Sequence, residues 1–150
     1  MAHPSPRLDH ASLAVTDVDL AIAFFVEGLN LEVTFLERGM SDQIASMLGR
    51  EGAICDLAQL AIPGTEARLE VIAFRVDGAG PAPDDPAPVR AGQGHVAFRV
   101  PDFDAVLARL EGLGARRLGA VTPFSDGRSV YLVTPGGAVI EIEEERGAAP

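Results

Sequence analysis

A chain of 150 residues that is 47% hydrophobic is of single-domain size and long enough to bury a proper core. Its formal net charge of −10 argues against gripping phosphate backbones, which needs clustered positive charge, so nucleic acid is not an expected partner. All 12 basic residues are arginine, which excludes pyridoxal phosphate and lysine-aldolase chemistry, and a lone cysteine, Cys55, excludes an intrachain disulfide.

No apolar run approaches the roughly 18 residues of a membrane span, and Met1 to Arg7 lack the apolar stretch of a secretory signal. A cytoplasmic protein with no membrane partner is the expectation. Cys55 reads as a small buried apolar residue rather than a nucleophile.

Along the chain, Leu8 to Thr16 alternates, with Leu13 and Val15 on one face and His10, Ser12 and Ala14 on the other, which predicts a strand. Asp17 or Asp19 then caps a helix through about Leu29, with Leu20, Ile22, Ala23 and Phe24 to Val26 as its apolar side and Gly28 loosening its end. Strand-like stretches follow at Glu32 to Glu37, Ile54 to Ile62 and Ala67 to Arg75. Between the first two, the polar and Met-containing Arg38 to Gly52 predicts a short helix that serves as a flap over a pocket. Asp77 to Gly94 is rich in proline and glycine and reads as a linker; its Gly92-Gln93-Gly94 precedes a strand, not a helix, so nucleotide binding is not expected.

The second half repeats the first. A strand from His95 to Val100 precedes Pro101, Asp102 caps a helix with Val106, Leu107 and Leu110 as its buried stripe, and strands follow at Arg116 to Val121, Ser129 to Thr134 and Ala138 to Glu143. Thr134-Pro135-Gly136-Gly137 supplies the turn of the last hairpin, and Glu143-Glu144-Glu145 reads as the solvated end of a strand. The organisation is one α+β domain over 1–150, with two βαβββ modules at about 7–76 and 94–144 joined by a linker at about 77–93.

The repeat brings chemistry with it. His10-Ala-Ser-Leu-Ala-Val-Thr-Asp returns as His95-Val-Ala-Phe-Arg-Val-Pro-Asp, and Leu69-Glu70-Val71 returns as Ile140-Glu141-Ile142. By strand alternation His10 and Glu70 point away from the face that packs the helix, as do His95 and Glu141. Two imidazoles and two carboxylates in equivalent places suit a divalent ion, Zn, Ni, Mn, Co or Fe, with positions left open for water or substrate. His3 is not part of the set.

At these residues the chain resembles the vicinal oxygen chelate superfamily, which includes glyoxalase I, methylmalonyl-CoA epimerase, extradiol dioxygenases and fosfomycin- and bleomycin-resistance proteins. The marks are Leu8-Asp9-His10-Ala11-Ser12-Leu13-Ala14-Val15, Arg68-Leu69-Glu70-Val71-Ile72, Gly94-His95-Val96-Ala97-Phe98-Arg99-Val100, and Tyr131 to Glu141. The resemblance implies paired modules forming a U-shaped mixed sheet around a metal held by His10, Glu70, His95 and Glu141, a small-molecule substrate chelated through adjacent oxygens, and a homodimer. It departs in one place: Thr134-Pro135-Gly136-Gly137-Ala138 replaces the Asp-Pro-Asp-Gly-Asn turn common before the last ligand.

The function so implied is a metal-dependent lyase or isomerase of glyoxalase type, working through an enediolate or enolate, with Glu70 or Glu141 moving the proton. The alternatives are an Fe(II) extradiol dioxygenase using His10, His95 and Glu141, and a non-catalytic sequestering protein. Ser12, Tyr131 and Arg128 are the candidates for substrate contact, and Arg68 and Arg99 also lie near the presumed mouth, where an exposed-strand arginine ordinarily serves solubility.

Overall fold

The computed structural model describes residues 5–80, 86, 88–89 and 91–145, so His3 and part of the expected linker lie outside the described residues. The first module runs β1 (His10–Ala14), α1 (Val18–Leu29), β2 (Glu32–Met40), α2 (Asp42–Leu48), β3 (Ile54–Ala61) and β4 (Arg68–Arg75). The second runs β5 (Val96–Val100), α3 (Phe103–Gly112), β6 (Arg116–Arg117), β7 (Thr122–Phe124), β8 (Gly127–Val133) and β9 (Val139–Glu144).

Each module forms its own mixed sheet, in the order β1-β4-β3-β2 and β5-β9-β8-β6, with β7 also on β8. The first and last strands of each module pair parallel, and the others pair antiparallel. Parallel neighbours need a crossover, and α1 and α3 begin it, each packing back on one face of its sheet. Of the expected strand at Arg116 to Val121 only β6 forms, with Leu118 N still donating to Tyr131 O at 3.0 Å; residues 119–121 leave the pairing with β8, and β7 lies beyond the expected span.

Asp17, rather than Asp19, caps α1 by accepting from Leu20 N at 3.0 Å, and Asp102 caps α3 by accepting from Ala105 N at 3.1 Å. Asn30 ends α1 in the left-handed region, at φ 57°. Gly28 does not loosen the helix as its identity suggested. It is a buried close-approach point: a Cβ there would sit 2.5 Å from Leu110 Cδ2 on α3. Leu20, counted with the apolar side of α1, is largely exposed, while Val18, Ala21, Phe24 and Phe25 form the buried stripe.

One core serves both modules. It joins Leu13, Val15, Leu69 and Val71 of the first sheet, Phe98, Ile140, Ile142 and Leu132 of the second, and the buried stripes of α1 and α3. Phe25 bridges the modules, its ring centroid 6.2 Å from that of Phe98. A second, smaller cluster lies on the other face of the first sheet, where Ile44 of α2 packs on Cys55, Leu57 and Ile72. The expected short helix thus exists and covers that face. Burial pushes the Cys55 thiol above its ordinary pKa, as befits a residue used for packing.

The approach to α2 is held by Asp56, which accepts from Gly39 N at 2.8 Å and from Arg75 at 2.7 and 3.1 Å. Those bonds lower its pKa from 3.8 to about 2, Arg75 first and the Gly39 amide second. Among the described residues no helix is long and apolar enough to cross a membrane.

Two outcomes follow from the packing. Gly28→Val drives a side chain into a fully buried Leu110, and urea denaturation should show a loss of about 1–3 kcal/mol in a single transition for both modules. Asp56 favours the fold wherever it is ionised in both states, above its ordinary value of 3.8, and that contribution disappears as pH falls through about 2. The difference in urea midpoint between wild type and Asp56→Asn should therefore be full at neutral pH, shrink below about pH 4 and vanish near pH 2; a constant difference would refute the assignment.

Candidate metal centre

The parallel register sets the site. In the first module Ser12 lies opposite Glu70, so His10, two residues earlier on the same face, reaches that carboxylate diagonally. In the second, Ala97 lies opposite Glu141, and His95, just before β5, stands in the place of His10. The buried neighbours Leu13, Leu69, Val71, Phe98, Ile140 and Ile142 occupy the opposite, core-facing sides. Each His–Glu pair is therefore on the face of its sheet turned away from the shared core.

In the first pair, His10 Nε2 is 3.8 Å from Glu70 Oε2. The ring is oriented from behind, since His10 Nδ1 lies 2.8 Å from Asp9 Oδ2. An ionised carboxylate only accepts, so in this bond Nδ1 is the donor, and Nε2 is the nitrogen that faces Glu70. The His10 bond, followed by one from Arg68, holds the Asp9 carboxyl below its ordinary pKa. Glu70 is held on both oxygens, Oε1 by Ser12 Oγ at 2.9 Å and Oε2 by Gln59 Nε2 at 3.5 Å.

In the second pair, His95 Nε2 is 2.9 Å from Glu141 Oε2. Ser129, almost wholly buried on β8, donates its hydroxyl to Glu141 Oε1. Tyr131, opposite Glu141 in register, sets its ring edge-on to His95 with centroids 4.7 Å apart. This contact places Tyr131 beside the candidate ligands.

Both pairs suit a divalent ion. Donors bound at about 2.0–2.2 Å and subtending roughly 90–110° at the ion lie about 2.9–3.5 Å from one another. The observed 2.9 and 3.8 Å fall at or just beyond that range. The four candidates nevertheless form two pairs in one chain, not one cluster: among the described residues no three His, Cys, Asp or Glu side chains come together to hold a metal ion.

The faces around the two pairs differ. Beyond Glu70 lie Leu57, Ile72 and Phe74 beneath α2. Beyond Glu141 the face is polar and open, with Arg99 of β5 paired to Glu143 of β9 at 3.1 Å. A cavity of about 220 Å³ opens there, against Ser129, Glu141 and Phe124. Arg128, expected to meet substrate, is engaged by Asp104 at 3.1 Å and Glu144 at 2.8 Å and lies 4.7 Å over the Phe103 ring. Arg68 is bonded to Asp9.

Three residues at the site were not singled out by sequence reasoning: Asp9, Gln59 and Ser129. Asp9 carried a signal as the acid beside His10, and Ser129 one as a residue two before Tyr131 on the same strand face. Gln59 becomes visible only once its register opposite Glu70 is known.

Comparison with known proteins gives four further findings. Residues 7–142 match the Glyoxalase/Bleomycin resistance protein/Dioxygenase superfamily. The chain is 30% identical over 154 residues to a 2-epi-5-epi-valiolone epimerase from an Actinomyces species, covering 94% of this chain and 80% of that protein. Among solved structures it is similar to a glyoxalase family protein from Bacillus cereus, with a TM-score of 0.81, 29% identity, and 98% and 99% of the two chains covered. It also shares its fold with a variant of the fosfomycin resistance protein FosX from Listeria monocytogenes, complexed with Mn(II) and a dihydroxypropylphosphonic acid, at a TM-score of 0.63 and 16% identity over 96% and 93% of the chains.

Proposed function

The chain belongs to the Glyoxalase/Bleomycin resistance protein/Dioxygenase superfamily, and on that premise we propose that it is a divalent-metal-dependent isomerase or lyase, moving a proton next to the carbonyl of a small substrate with adjacent oxygens. The observation that carries this reading is the repetition of one His–Glu pair in two modules, with donor separations of 3.8 and 2.9 Å. His10 and Glu70 of one protomer and His95 and Glu141 of its partner would hold the ion, giving a homodimer with two equivalent sites. The separation of the pairs within one chain supports this division.

The relative named as an epimerase favours isomerisation within this pair of reactions, and the FosX complex places Mn among the ions to try first. When bound, a divalent ion supplies Lewis-acid stabilisation for negative charge developing on a substrate oxygen. The chain's own residues do the rest. His10 and His95 present nitrogen donors, Asp9 fixes the His10 ring, and Ser12 and Gln59 hold Glu70 in place. Glu141 is the proton carrier: Ser129 anchors its Oε1, leaving Oε2 beside His95 Nε2 at 2.9 Å. Tyr131 excludes water from one side of the His95 ring.

Glu141→Gln keeps an oxygen donor but cannot take up a proton. Deuterium exchange next to the carbonyl, followed by NMR in D2O over thiohemiacetal, acyl-CoA and α-hydroxyketone substrates, should fall at least about 100-fold in this variant; an undiminished rate would sink the role. His10→Ala and His95→Ala should each be inactive alone. Refolded together, they form heterodimers with one intact site out of two, and activity should return to about a quarter of wild type. A site built within one chain gives no recovery.

A further inference from the structure

Resting on that reading, we infer that the substrate is an uncharged, polyhydroxylated α-hydroxyketone, admitted by the cavity beside Glu141 and selected by the Arg99–Glu143 pair. The argument begins with charge. Four carboxylates line this cavity, those of Asp126, Glu141, Glu143 and Glu144, against two guanidiniums, those of Arg99 and Arg128. A divalent ion shared by Glu70 and Glu141 is balanced by those two groups. The part of the wall that this protomer contributes still has one negative charge in excess, in a chain whose formal charge is −10.

Neither arginine is in position to receive an anion. Arg99 bonds Glu143 at 3.1 Å, while Arg128 is clamped between Asp104 and Glu144 and stacked over Phe103. A phosphate, phosphonate or carboxylate entering here meets repulsion and has to displace an existing ion pair.

The same wall is suited to hydroxyl groups. A hydroxyl donates and accepts, and the paired Arg99 and Glu143 present donor and acceptor side by side on neighbouring strands. Vicinal hydroxyls can bond both without breaking the pair. Phe124, exposed at the rim, offers a ring face to the C–H side of a saturated polyol. Adjacent carbonyl and hydroxyl oxygens are what the proposed metal chemistry needs, so the reacting end and the recognised end belong to one molecule.

The test uses the full-length, manganese-loaded protein and two probes that are both α-hydroxyketones, 2-keto-myo-inositol and dihydroxyacetone phosphate. Calorimetric binding and deuterium exchange in D2O are both recorded. The expected result is binding and exchange of the neutral ring, at least about tenfold stronger binding than for the phosphate ester, and a rise in KM of about tenfold in Arg99→Gln with kcat changed less than about twofold. Equal or tighter binding of the phosphate ester, or no binding of the neutral probe, overturns this inference. Binding of the neutral probe without exchange leaves the inference standing and overturns the proposed proton-transfer function instead. An Arg99→Gln variant that loses kcat and KM effects alike, with manganese still bound, removes Arg99 from substrate selection and overturns its part.

Discussion

The structure depends on the parallel pairing of the first and last strand in each module. That pairing sets Ser12 opposite Glu70 and Ala97 opposite Glu141, and it brings a histidine and a glutamate far apart in sequence to neighbouring strands. A parallel pair cannot close through a tight turn, so a helix has to cross. The helix buries one face of the sheet, and with strict alternation the polar ligand-type residues are left on the other. Fold and candidate site are two sides of the same constraint.

The duplicated modules have diverged in what surrounds their pairs. Register equates Leu57 with Ser129, Ile72 with Glu143, Ala14 with Arg99 and Gln59 with Tyr131. The first module therefore presents an apolar face, and α2 covers it through Ile44 because leaving Leu57 and Ile72 in water is unfavourable. Among the described residues the second module has no counterpart of α2, and it presents charges already paired on its surface. Like carboxylates also gain different anchors: Ser12 on β1 holds Glu70, whereas Ser129 on β8 holds Glu141. The same kind of hydrogen bond is supplied from opposite flanking strands.

Most of the architecture was legible because its signals are local. The alternation around Leu13 and Val15, the capping aspartates Asp17 and Asp102, and the Pro135-Gly136-Gly137 turn each act over a few residues. What escaped depends on contacts between elements. Gly28 reads as a helix weakener until Leu110 is seen against it, and Leu20 reads as core until the tilt of α1 is known. The bulge at 119–121 leaves no mark in composition. For the site, the repeat marked His10, Glu70, His95 and Glu141, but whether two pairs meet in one place is set by how whole modules pack, which no spacing within either module encodes.

The shared core explains why that packing keeps the pairs apart. Both helices are apolar on the side toward their own sheet and toward each other, and the seam between them, closed at Gly28 and Leu110 and bridged by Phe25 and Phe98, joins the modules back of site to back of site. The larger of the two buried clusters lies on the faces that carry no ligand. The His–Glu faces are consequently free of any packing duty, apart from the part under α2, and their side chains are ordered by Asp9, Ser12, Gln59 and Ser129 rather than by the core. A single polar substitution among these four should disturb the site while leaving the fold intact, because the hydrogen bonds they make lie on the side of each sheet that the core does not use.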